Sequence, residues 1–202
     1  MTFGLDSAAR KSILDFVRPL SVGIDGMTNF GFVERRLKIS ENLLESEESR
    51  DGKGRVDRDR LFLLAAFAGL PGARRISPDS REDLLLRSVR IPFEEIRILV
   101  SSLDRYEHDP ESAEEKIVHD AVLLESVGAY GVTQLLVSGA RERQTLAEMA
   151  KEIAEKMATA RFATPAGRRL AADRVAFAAL FAQKLADEAR EFETPPPSRR
   201  ER

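Results

Sequence analysis

His108 and His119 are the only imidazoles in this chain, and cysteine is absent. His119 is followed by Asp120 in the stretch KIVHDAVLLESVGAYG, residues 116–131, with Glu114 and Glu125 nearby in sequence. Imidazole and carboxylate are ligands for divalent ions, so the letters His-Asp first raise metal-assisted hydrolysis. Helical spacing weakens that reading, because neighbouring side chains diverge by roughly 100° and meet on one ion only if the backbone bends or other ligands approach them. On that helix Ile117, Ala121 and Leu124 share a face that Val118 and Val122 extend. His119 lies nearly opposite, Asp120 at the edge and Glu125 near the centre, which predicts a solvent-facing histidine beside a partly buried aspartate. His108, in DRYEHDPE, is placed in a surface loop. Other chemistries lack their parts: Ser126 and Ser138 have no histidine at a useful spacing and no Gly-x-Ser-x-Gly elbow. Neither GIDG nor GLPG is followed by the Lys-Ser/Thr of a phosphate loop.

The elements that would position these residues are helical, since no segment alternates long enough to argue for a strand. Ser7 is expected to cap a first helix through Val17, ended by Pro19. A second helix is expected from Thr28 to Ser46, with Phe32, Val33, Leu37, Ile39, Leu43 and Leu44 on one broad stripe. The charged, glycine-containing stretch 45–60 reads as a solvated loop. DRLFLLAAFA, from Asp59, is apolar nearly all round and therefore central, with Gly69, Pro71 and Gly72 as its stop. Shorter helices follow at 80–89 and 92–103. Ser112 with Glu115 and Thr145 with Glu148 are capping boxes for the next two helices. Thr164-Pro165 opens the longest helix, reaching about Glu193. The expectation is one all-α domain over residues 1–193 and a disordered proline- and arginine-rich tail, 194–202.

Composition narrows the partners. The chain has 202 residues, 43% of them hydrophobic, and 32 basic against 34 acidic side chains, enough for one packed core and too balanced for a global field. Aromatics are only 6% and Trp is absent, so base-stacking platforms are scarce and nucleic-acid binding is not expected. No apolar run approaches the roughly 18 residues of a membrane span, and the opening MTFGLDSAARKSILDF has no signal-peptide pattern, so a cytoplasmic protein is expected. A homo-oligomer is left open, with no dimer face assigned.

The segment ESAEEKIVHDAVLLESVGAYGV resembles the signature of the small HD-domain phosphohydrolases. In that signature a glutamate, an Ile-Val pair, an Asp-Ala-Asp-Arg-Leu-Asp run and a Gly-Ala-Ile-Gly stretch follow one another. Glu114, Ile117, Val118, Asp120, Ala121, Leu124, Gly128, Ala129 and Gly131 match it. The C-terminal third continues the likeness with Glu155, Lys156, Thr164, Arg168, Ala171, Arg174, Phe177 and Phe181. LLAAFAGLPG takes the place of the family's Leu-Ala-Ala-Leu-Leu-His-Asp helix end, and FVERRLKIS that of its His-Ile-Glu-Arg-Val-Arg helix. The likeness spans roughly residues 27 to 190 and implies an HD-domain-like helical bundle.

In that family a divalent cation is held by a His of the early helix, the adjacent His-Asp and a later Asp. The resemblance puts Phe32, Gly69, Leu70 and Val122 at those places, so it implies a degenerate metal site, with no cofactor expected. The family's arginines of the Asp-Ala-Asp-Arg run and after Gly-Ala-Ile-Gly are Leu123 and Gln134 here. Phe32, Leu70 and Val122 are expected to fill the place as core. Two arginines complicate this: Arg36 falls within the apolar stripe of its helix, and Arg174 shares a face with Leu170, Phe177, Phe181 and Leu185. A buried arginine needs a carboxylate. Either Arg36 or Arg174 therefore meets Asp120 or Glu125 in a polar remnant of the site, or both snorkel to the surface. Lys156, Arg168 and Arg174 are candidates for an anion pocket. The functional expectation is a non-catalytic binding or regulatory module for a protein or an anionic small molecule. The alternative is a metal-dependent phosphohydrolase with relocated ligands drawn from Asp120, Glu114, Glu125 and His119.

Overall fold

In the computed structural model, residues 4–21, 30–51, 56–70 and 76–192 are described. Among them the chain is helical and strand-free, in the order α1 (Ser7–Leu20), α2 (Phe30–Asp51), α3 (Arg58–Phe67), α4 (Arg81–Ser88), α5 (Phe93–Arg105), α6 (Ala113–Ser126), α7 (Gly128–Arg141), α8 (Leu146–Thr159) and α9 (Pro165–Phe192). The all-α expectation holds. The expected tail 194–202 and the expected start of α2 at Thr28 lie outside the described residues.

The helix ends follow their caps. Ser80 accepts a hydrogen bond from the Asp83 amide, and Thr145 and Glu148 form the reciprocal box expected of them. Ser112 Oγ accepts from the Glu115 amide while Glu115 Oε2 accepts from the Ser112 amide, so that box also forms. At α1 the cap is Asp6, whose Oδ1 takes the Ala9 amide at 2.7 Å, not Ser7; Pro19 sits inside the last turn instead of ending the helix before it. The stretch 116–131 is not one helix: α6 ends at Ser126, Val127 is the N-cap of α7, and Gly128, its first residue, adopts φ +79°.

The stretch 45–60 is mostly not a loop. α2 continues to Asp51, and α3 starts at Arg58 on an Asp57 cap. Contacts distant in sequence hold the extra turns: Glu47 Oε1 accepts the Ala166 amide at 2.6 Å, Arg169 donates to Ser46 Oγ, and Arg58 pairs with Glu48 at 2.8 Å. Charge pattern alone read this segment as solvated, and the partners that order it lie more than 100 residues away for Glu47 and Ser46.

The described residues fall into two compact units. The first comprises the chain up to Glu125 with Phe162–Leu170, the second Ser126–Arg161 with the chain from Ala171. In the first, α3 is the centre: every residue from Leu61 to Phe67 is buried, and the helix packs against α1, α2 and α5. In the second, α7 packs on α8, and Val132, Met149, Ile153 and Met157 are buried. No single helix among the described residues is long and apolar enough to cross a membrane.

Candidate functional site

Arg36 stands one helical turn after Phe32 on α2 and is 7% exposed. Its Nε and Nη2 both donate to Glu125 Oε2 at 3.1 Å, and Nη1 donates to the carbonyl of Ala68. Ala68 is the C-cap of α3, so the cation also meets a carbonyl left over at the negative end of that helix dipole. The next residue, Gly69, has φ +70°, and a Cβ built on it would lie 3.4 Å from Arg36 Nη2. The guanidinium is therefore packed directly against the Ala68–Gly69 corner. Glu125 is 5% exposed, and its second oxygen, Oε1, is buried with no hydrogen-bond partner among the described residues. Burial pushes the Glu125 carboxyl above its ordinary range, and the adjacent Arg36 only partly opposes that rise.

Asp120 pairs with no arginine among the described residues. It is fully buried; Oδ1 accepts the Ala163 amide at 2.7 Å, and Oδ2 accepts the Thr164 amide and hydroxyl at 2.8 and 2.6 Å. Thr164 Oγ1 in turn accepts the Gly167 amide at 2.9 Å. The carboxylate thus anchors the first turn of α9, where amide donors point outward and negative charge is favoured. The expectation of a partly buried aspartate is corrected because this turn closes over it. His119 is half-buried rather than solvent-facing, since its Nδ1 lies 2.9 Å from the carbonyl oxygen of Tyr106. His108 is exposed, 3.8 Å from Glu107. Glu114 accepts the Asp57 amide at 2.7 Å beside the start of α3.

Of the four places named by the resemblance, Phe32 is buried, Leu70 and Val122 are half-buried, and Gly69 is exposed. The expectation that Phe32, Leu70 and Val122 form core is met by Phe32 alone; the Arg36 guanidinium fills part of the space instead. Arg168 is exposed, and its Nη1 donates to the carbonyls of Phe162 and Ala163 at 2.9 and 3.2 Å. In the second unit, Arg174 is exposed with its stem against Gly128, where an added Cβ would come within 3.1 Å of Arg174 Cβ. Lys156 is half-buried, and that burial holds its ammonium below the ordinary lysine range against the raising effect of Glu152. Substituting Lys156 by Met should raise the unfolding temperature, because the methionine has no charge to desolvate. Thermal denaturation followed by circular dichroism would show this as an upward shift; a downward shift would mean that the ammonium stabilises the fold.

Sequence reasoning missed a second polar cluster. Glu115, fully buried, accepts from Ser102 Oγ and Arg105 Nη2 at 2.7 Å each, and Arg60 forms a bidentate pair with Glu95 at 2.8 Å. Ser112-x-x-Glu115 was legible only as a cap, yet the same carboxylate turns its other oxygen towards α5. The signal available was a charged residue one turn before Val118, which extends the apolar face of that helix.

No protein-family model matches the sequence, and no curated protein matches it. Solved structures do. Listeria innocua Lin1889 aligns with a TM-score of 0.68 at 18% identity, over 92% of this chain and 98% of that one. An HD-superfamily hydrolase from Bacillus thuringiensis aligns with a TM-score of 0.65 at 17% identity, over 91% of this chain and 97% of the hydrolase. The fold is HD-domain-like. A crystal structure of Bacillus subtilis YpgQ, in complex with ADP, shares this HD-like fold with a TM-score of 0.67 at 18% identity, covering 90% and 95% of the two chains.

The residues at the places that the family resemblance assigns to a divalent ion's ligands do not fit that ion. Phe32, Gly69, Leu70 and Val122 supply no side-chain donor. The nearby acids are engaged, Glu125 by a guanidinium and Asp120 by two amides and a hydroxyl. Among the described residues no three His, Asp or Glu side chains converge on a point where an ion would be held. A guanidinium also places positive charge against the Ala68–Gly69 corner, which repels a second cation there.

Proposed function

We propose that this HD-like protein is a binding or regulatory module without phosphohydrolase activity, acting on a protein partner or an anionic small molecule. The observation that carries the reading is the Arg36 guanidinium seated against Ala68–Gly69 and paired with Glu125. Hydrolysis in the family requires an ion to polarise a phosphoryl oxygen and to lower the pKa of the attacking water, and both tasks need several converging donors. Arginine can neutralise charge on a phosphate or carboxylate, but it cannot generate hydroxide from water at neutral pH. The exchange of ion for guanidinium thus removes water activation, and since Arg36 is itself paired with Glu125, anion recognition falls to other cations such as the exposed Arg168.

The test joins binding to turnover. Full-length protein is incubated with Mn²⁺ or Mg²⁺ and with nucleoside di- and triphosphates and generic phosphoesters, while ADP binding is followed by calorimetry without metal. The expected result is no phosphate or pyrophosphate release above the protein-free control. ADP binding in the absence of metal would favour the small-anion form of the reading over a protein partner. Metal-dependent turnover, lost in Asp120→Ala protein that circular dichroism shows to be folded, would support the competing reading, a phosphohydrolase whose ligands have moved to Asp120, Glu114, Glu125 and His119.

A further inference from the structure

α9 carries its apolar residues the wrong way round for a helix that serves only its own core. In the second unit its buried positions are Ala171, Ala178 and Ala182, whereas Phe177 is 47% and Leu180 57% exposed. Phe181, half-buried, stacks on Phe177 with ring centroids 6.4 Å apart. The small residues are on the inner face and the large ones outside. Burial would be expected to be the reverse if solvent were the only neighbour of that face.

The exposed face has a regular spacing. Asp173, Phe177, Leu180 and Lys184 follow one another at steps of four, three and four residues, which is the seam of a coiled coil. Asp173 and Lys184 are both exposed. Turned upon itself in the antiparallel sense about the midpoint between Ala178 and Ala179, this seam is self-complementary. Phe177 then stands opposite Leu180 of a second chain, and Asp173 opposite its Lys184, each pairing occurring twice across the two-fold axis. A parallel arrangement would instead set Asp173 against Asp173 and Lys184 against Lys184.

We infer that α9 pairs antiparallel with α9 of a second copy of this chain, Phe177 and Leu180 forming the dry centre and Asp173 and Lys184 fixing direction and register. The contact spans about three turns, so it belongs to the small, concentration-dependent class of interfaces. The charge pairs lie at its edge, where they contribute direction more than strength and are weakened by salt.

Sedimentation equilibrium of the full chain over a concentration series tests it. The expected result is a monomer–dimer equilibrium that Phe177→Gln abolishes. Asp173→Lys alone and Lys184→Asp alone should each weaken dimerisation by about tenfold, because two attractive pairs become repulsive. The double variant, Asp173→Lys with Lys184→Asp, should restore it. All these positions are exposed, and circular dichroism checks that each variant is folded. A single-chain mass at every concentration overturns the proposal, as does a double variant that dimerises no better than the single ones.

Discussion

Replacing Arg36 by methionine is expected to destabilise the protein by about 3–5 kcal/mol, the range for breaking a buried ion pair from one side. Methionine keeps much of the volume, so the loss is mainly electrostatic: the Glu125 carboxylate, 5% exposed, would remain buried without its counter-charge. The carbonyl of Ala68 would also lose its donor. Removing both charges, Arg36→Met with Glu125→Leu, should recover most of the loss, because an apolar pair of similar volume needs no desolvation of charge. Urea denaturation of the two variants measures the difference directly.

The same pair sets a pH dependence. The Glu125 carboxyl is raised above its ordinary 4.5 by burial, with Arg36 pulling the other way. Without Arg36 that restraint is gone and the folded-state pKa climbs further. The folded protein then binds a proton that the unfolded chain has released, so stability is fullest below about pH 4.5 and is lost as pH rises through the folded-state pKa. The penalty of Arg36→Met should therefore be smaller near pH 5 than near pH 8 in roughly this window. A pH-independent penalty would mean that the carboxylate finds water or another donor in the variant.

The second large effect is expected at Asp120. Its removal in Asp120→Ala leaves the Ala163 amide and the Thr164 amide and hydroxyl without their acceptor. Each buried donor left unpaired costs about 1–3 kcal/mol, so a loss of at least about 3 kcal/mol is expected. Gly167→Ala should destabilise by a different route to the same place, because a Cβ there would come within 2.1 Å of Asp120 Oδ2. The two changes should be strongly non-additive: once the carboxylate is gone, the methyl group has room. A double-mutant cycle by chemical denaturation should give a coupling of about 1–3 kcal/mol. Additive losses would show that Gly167 is needed for its backbone and not for the space it leaves to Asp120.

The helices and most of their starts were legible because capping side chains and apolar spacing act within a few residues. Ser80, Ser112 and Thr145 each cap the helix that their sequence position announces. The extra turns of α2 were not legible, since Glu47 and Ser46 are ordered by partners on the first two turns of α9. The site lay between these cases. An arginine inside an apolar stripe implies a buried carboxylate, and Arg36 does face one. The choice of Glu125 over Asp120 rests on two backbone amides, at Ala163 and Thr164, whose position no side-chain pattern records. Arg174 was expected on a buried face with Phe177 and Phe181, but a helix face can be apolar and outward, and only the burial of Ala171, Ala178 and Ala182 shows which side faces in.

The most direct test of the guanidinium in place of the ion is a titration of chelator-treated, full-length protein with Mn²⁺, followed by the electron paramagnetic resonance signal of the free ion. The expected result is a signal that grows with added Mn²⁺ as it does in buffer, with no tight stoichiometric loss, and an unfolding temperature unchanged by metal or chelator. Tight binding of one Mn²⁺ per chain, with the unfolding temperature raised by the metal, would contradict it.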